Sequence, residues 1–127
     1  MIDEERLLVH QNYTSTEVSA IGHILKERFQ AALNKGPATP ELLQALGVIS
    51  IIDRDYNYAV ECFQQSLNLD PTNHLMWNKL GAALVHVGLK DMALKAYQTA
   101  LDLKPNYVRV WINLGKLYSN QVKKLYN

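Results

Sequence analysis

The chain has 127 residues, 48% of them hydrophobic, and thirteen basic against twelve acidic side chains give it a formal charge of +1. That length holds one domain or a short array, and a near-balanced charge without long runs of either sign gives no support to a non-specific nucleic-acid surface. The single cysteine excludes an intrachain disulfide, and no continuous apolar run approaches the roughly 20 residues that span a bilayer.

The opening MIDEERLL is acidic and a poor match to a secretory or mitochondrial leader, so the chain is expected to stay on the cytosolic side of membranes. Residues 1–39 are the least regular part. HQNYTSTEVS is expected to be irregular, followed by a helix over IGHILKERFQAALNKGP that carries Leu25, Phe29 and Ala32. This segment reads as an N-terminal helical piece or the latter half of a degenerate repeat.

From Thr39 onward a single thirty-four-residue period takes over. It relates Pro71 to Pro105, Trp77 to Trp111, Ala59 to Ala93 and Phe63 to Tyr97. It also links Leu46, Leu80 and Leu114, and Gly47, Gly81 and Gly115. Recurrence of so many residue types at one interval is the signature of stacked supersecondary units. The units are 40–73, 74–107 and an incomplete 108–127, with helices expected at about 40–52, 56–69, 74–87, 90–103 and 108–121. Thr39, Pro40 and Glu41 open the first with a hydroxyl cap, a proline whose missing donor is not needed, and an acid favoured by the helix dipole. Trp77, Leu80, Gly81 and Leu84 share one face, opposite Ala93, Tyr97 and Ala100 on the following helix. Gly81 costs about 1 kcal/mol in helix propensity but allows its partner helix to approach closely. Cys62 falls inside a helix, where a small buried hydrophobe is the expected role.

On the 108–121 helix, Trp111, Leu114 and Tyr118 are expected to pack backward, and Arg109, Asn113, Lys116 and Asn120 form a polar stripe on nearly the opposite side. Little follows to cover the forward face of this helix. A shortened array that self-associates or borrows a helix is therefore expected. In the preceding unit Asn78, Ala82, Val85 and His86 share a side, and Lys79 is expected to be solvated. First helices of such a right-handed α-solenoid line its inner surface, so both polar sets should lie on neighbouring rungs of one concave face. Asparagine offers an acceptor and two donors, which suits the main chain of an extended peptide, and Arg109 adds a partner for a carboxylate. The competing reading is a stripe that merely faces water; asparagine is a weak helix former and less expected than Glu or Lys on such a surface.

Enzymatic chemistry finds little support. His10, His23, His74 and His86 show no metal-ligand spacing, Cys62 has no recognisable activating partner, and Gly81 and Gly88 do not form a phosphate loop. A non-enzymatic chain without cofactor or metal is expected.

These periodic positions match the tetratricopeptide repeat family. WNKLGA and PNYVRVWINLG further resemble the C-terminal repeats of peroxisomal targeting signal 1 receptors, the peroxin 5 family, over residues 41–120. The resemblance implies an all-α, right-handed solenoid that binds C-terminal peptides of the Ser-Lys-Leu type on cargo proteins. It also implies docking proteins as partners of a full receptor, and a cytoplasmic location with cycling to the peroxisomal membrane or a related organelle. By motif position it assigns peptide contact to Asn78, Arg109, Asn113 and Asn120. His86 stands where the family usually has another asparagine, a change that would alter one hydrogen bond and introduce pH dependence. The family normally encloses its signal between two groups of repeats, whereas this chain resembles the last three units. The alternative is a generic tetratricopeptide scaffold or co-chaperone. An acidic-peptide clamp would call for several Lys and Arg on the first helices, where this sequence has asparagines and one prominent arginine.

Overall fold

A computed structural model describes residues 14–126, so the MIDEERLL segment and His10 lie outside the described residues. Among the described residues six helices follow one another: α1 (Ser15–Lys35), α2 (Pro40–Ile52), α3 (Tyr56–Leu69), α4 (His74–His86), α5 (Lys90–Leu103) and α6 (Val108–Tyr126). There is no strand among the described residues. Each helix packs on the next, which makes α2–α3 and α4–α5 helical pairs of an all-α solenoid.

The starts of these helices follow from single side chains. Thr39, Asp55 and Asn73 each turn a side-chain oxygen back to accept the third amide of α2, α3 and α4. At α1, Thr14 Oγ1 accepts from the Glu17 amide while Glu17 Oε2 accepts from the Thr14 amide at 2.7 Å. This reciprocal box starts α1 inside the stretch that the repeat pattern leaves irregular.

Inside each pair the chain reverses through a residue with positive φ. Gly88 adopts φ 85° between α4 and α5, and Arg54, one period earlier, adopts φ 61° between α2 and α3. A side chain in this region is strained, and the turn at Arg54 is tied down from α1. Lys26 Nζ donates to Asp53 Oδ2 at 3.1 Å and Asp55 Oδ2 at 2.8 Å, one carboxylate on each side of Arg54. The hydrogen bond to Asp55 raises the Lys26 pKa, and the same bond lowers that of Asp55.

Packing within a pair depends on a glycine set beneath an aromatic ring. Gly47 lies under Phe63, and a Cβ on Gly81 would stand 2.5 Å from Tyr97 Cε1. The core runs on from Ala59, Phe63 and Leu67 through Met76, Leu80 and Leu84 to Val110, Leu114 and Leu117.

The last helix departs from expectation. Its buried line is Val110, Leu114 and Leu117, whereas Trp111 is 56% and Tyr118 50% exposed. Trp111 and Tyr118 flank the side of Gly115, which in the earlier units is covered by a second helix, and no described helix occupies that place here. Trp111 is held locally, its indole N–H donating to Pro105 O at 3.0 Å just as Trp77 donates to Pro71 O at 2.8 Å. α6 also continues to Tyr126, beyond its expected end.

Candidate functional site

Burying Met76, Leu80, Gly81, Ala83 and Leu84 leaves Asn78, Ala82 and Val85 half-buried on another side of α4, with His86 exposed at its end. Burying Val110, Leu114 and Leu117 on α6 likewise leaves Asn113 half-buried and Arg109, Lys116 and Asn120 exposed. The two sets meet. Asn113 Nδ2 donates to Asn78 Oδ1 at 2.9 Å, joining consecutive first helices through their side chains.

Beside this bond lies an open cleft of about 250 Å³. Ala82, Val85 and His86 form one wall, and Asn113, Lys116, Leu117 and Asn120 the other, with Tyr97 also lining it. Tyr97, the residue whose ring presses on Gly81, lines this cleft although it is only 2% exposed. His86 is further held by Tyr56, whose ring stacks parallel to the imidazole with centroids 4.3 Å apart. Nothing in the sequence pattern points to Tyr56. The repeat pattern hides it, since Lys90 stands at the aligned position of the next unit.

The cleft has a counterpart two rungs earlier, lined by Phe29, Glu41, Gln44, Ala45, Val48 and Ile49. Phe29, Ala45, Val48 and Ile49 precede Tyr97, Asn113, Lys116 and Leu117, respectively, by two periods. The same place in the fold is thus filled by alanine and valine in one unit and by Asn113 and Lys116 in another. Packing alone does not require the polar pair.

Of the five residues expected to bind peptide, the structure brings four together. Asn78 and Asn113 form the bonded pair, and His86 and Asn120 face each other across the cleft with Asn113. Arg109 is exposed on α6, four residues before Asn113, and does not line the cleft. Lys116 supplies the cation there.

Other reactive groups lie apart. Cys62 is buried, and burial pushes its thiol up to about 11, so it stays protonated and inert near neutrality. His23 sits on α1 near Glu27 and Asp53, and His74 packs edge-on to Tyr107 with centroids 5.4 Å apart. A larger open groove of about 530 Å³ runs between α3 and α5 over Trp77, Leu80 and Leu84, and it contains none of the expected contact residues.

The family model described as "Tetratricopeptide repeat" matches residues 40–73, and one described as "TPR repeat" matches 91–122. Among solved structures, the crystal structure of MamA aligns with TM-score 0.72 at 17% identity, covering 92% of this chain and 74% of that one. A TPR protein with an unusual peptide-binding site, YrrB, aligns with TM-score 0.75 at 21% identity over 82% of this chain. This chain spans 54% of the YrrB chain, about half its length. At these identities the likeness shows the fold. No curated protein matches the sequence.

Proposed function

Because the chain belongs to the tetratricopeptide-repeat family, we propose that it is a peptide-binding module whose ligand is the extended C-terminus of another protein, received between α4 and α6. The observation that carries this reading is the Asn113–Asn78 hydrogen bond beside a cleft in which His86, Lys116 and Asn120 converge. Side-chain amides fixed in this way offer donors and acceptors to a peptide main chain, which would otherwise lose its water partners on binding. Lys116 stands where a terminal carboxylate can be neutralised, and Arg109 extends the positive charge along α6. YrrB is described as having a peptide-binding site, which supports this general reading.

The finer proposal is recognition of Ser-Lys-Leu-type endings on peroxisomal cargo, with the chain working in the cytoplasm and meeting docking proteins at the organelle membrane. It rests on WNKLGA, on PNYVRVWINLG and on the placement of Asn78, Asn113 and Asn120. The reading assigns no bond-breaking step. A second reading, a generic tetratricopeptide scaffold or co-chaperone, is favoured by the Tyr56–His86 stack, which puts an aromatic pair where the resemblance implies an asparagine.

Calorimetric titration separates them, using a peptide ending in Ser-Lys-Leu, its C-terminal amide and a scrambled ending. Targeting-signal recognition requires the free acid to bind well above both controls. Equal binding of all three removes that proposal, and tight binding of the scrambled acid alone favours the scaffold.

A further inference from the structure

We propose that copies of this chain associate head to tail, α1 of one copy serving as the second helix on α6 of the next. This does not depend on which peptide the groove takes. In each complete pair a glycine of the first helix lies under an aromatic ring of the second, Gly47 under Phe63 and Gly81 under Tyr97. Gly115 holds the same position on α6 and has nothing within 4 Å. The apolar side chains around it are open, with Val108 66%, Trp111 56% and Tyr118 50% exposed.

α1 carries the reciprocal face. Phe29 precedes Phe63 by one period and Tyr97 by two, and in the same register Leu25 aligns with Ala59 and Ala93, and Ala32 with Ser66 and Ala100. All six of those later residues are buried, whereas Leu25 and Phe29 are only half-buried and Ala32 is exposed. Among the described residues α1 is therefore a second helix without a first, and α6 a first helix without a second. Each offers what the other would bury.

Contacts inside the chain set the register of the junction. Gly81 against Tyr97 becomes Gly115 of one copy against Phe29 of the next. Ser66 Oγ donates to Pro40 O at 3.0 Å, and the same relation sets Ala32 on Val108. An antiparallel pair aligned in this way brings the start of α1, with Glu17, toward the end of α6, with Lys123 and Lys124, so opposite charges meet. The interface is heterologous, leaving each end of a dimer free to add another copy as open chains or rings. It would also carry the inner face onward, setting the Phe29, Gln44 and Val48 cleft on the rung after Asn113 and Lys116.

The test uses sedimentation equilibrium of the full chain with two variants at exposed positions, Gly115→Arg to block the α6 side and Ala32→Arg to block the α1 side. Retained helical circular dichroism confirms that both are folded. The unaltered chain should rise in mean mass from micromolar to millimolar concentration, and each variant alone should stay at the mass of one chain. Their equimolar mixture should approach twice that mass and stop, because one intact α6 meets one intact α1. An unaltered chain that remains monomeric, or a variant that associates as the unaltered chain does, overturns the proposal. A mixture that stays monomeric overturns it as well.

Discussion

Alanine at Gly81 and at Gly115 should move stability in opposite directions. Both glycines occupy the same place in a first helix, and alanine at either gains about 1 kcal/mol of helix propensity. At Gly81 the added methyl would stand 2.5 Å from Tyr97 Cε1, 2.6 Å from Cδ1 and 3.0 Å from Cζ. Tyr97 is 2% exposed and packed in the core, so the ring can yield only by displacing buried neighbours or by shifting toward the cleft that it lines. Overpacking of this kind costs about 1–3 kcal/mol, and contact with three ring atoms argues for the upper end. The net expectation is a loss of about 2 kcal/mol for Gly81→Ala and a gain of up to about 1 kcal/mol for Gly115→Ala. The gap of about 3 kcal/mol corresponds to roughly 10 °C in melting temperature for a chain of this size. Thermal and urea unfolding followed by circular dichroism at low micromolar concentration measures it without contribution from association. Equal stability of the two variants would refute the reasoning, because it would mean that no ring rests on Gly81 or that one rests on Gly115.

Three further outcomes can be checked. Asn113→Ala should weaken peptide binding about tenfold while leaving the melting temperature nearly unchanged, since the lost amide is half-buried and on the cleft side; calorimetry beside thermal melting reads both. Lys26→Met should cost about 1.5–3 kcal/mol near neutrality by leaving Asp53 and Asp55 without their shared donor. Asp55 has its pKa lowered, so its part of this stability is complete above the ordinary aspartate range and is lost as pH falls through the depressed value. Lys26 has its pKa raised, so its part holds below the ordinary lysine value and is lost only as pH rises through the raised one. Urea midpoints for both proteins should therefore converge in acid, and a gap that persists there would contradict the ion-pair account. Arg54→Gly should raise stability by about 0.5–1 kcal/mol, relief of the left-handed strain exceeding the added freedom of the unfolded chain, and a fall in the urea midpoint would count against it.

The repeat period placed four helices to within a residue, and the start of the last, because proline, glycine and capping side chains punctuate each unit where the packing demands. What it concealed lies where neighbouring elements decide the outcome. Thr14 and Glu17 form a capping box that is visible as T-x-x-E, but they lie outside the thirty-four-residue period, which carries no matching box in the later second helices. Arg54 aligns with Gly88, so comparing the two turns is enough to reveal a side chain in a glycine's conformation. Trp111 and Tyr118 share a helical direction that sequence reads correctly, yet direction alone does not say whether anything lies on that side. In the earlier pairs a second helix does, and beyond α6 none does among the described residues. The Tyr56–His86 stack joins residues of different units at positions the alignment does not pair, which is why the period gave no sign of it.

The asparagine pair depends on a departure from that period. Asn78 aligns with Ile112, and Asn113 with Lys79, so strict repetition would not bring two amides together. The bonded residues are 35 apart. One extra residue turns the side chain about 100° around α6, from the open side where Ile112 is 49% exposed toward α4. Once Asn113 donates to Asn78 Oδ1, both amides are oriented, and neither the Asn78 NH₂ nor the Asn113 Oδ1 has another hydrogen-bond partner among the described residues. The pair therefore presents donors from one helix and an acceptor from the next, with its rotational freedom already restricted before a ligand arrives. A peptide main chain, which also alternates donor and acceptor, can use both without breaking the bond between them. That leaves Asn113→Asp as the sharper substitution: a carboxylate cannot donate, so Asn78 must turn its own NH₂ inward to bond it, the pair no longer offers that donor to the peptide, and a negative charge faces the peptide's terminal carboxylate. It should reduce peptide affinity more than Asn113→Ala does, whereas a side chain needed only for solvation would tolerate Asp at least as well as Ala.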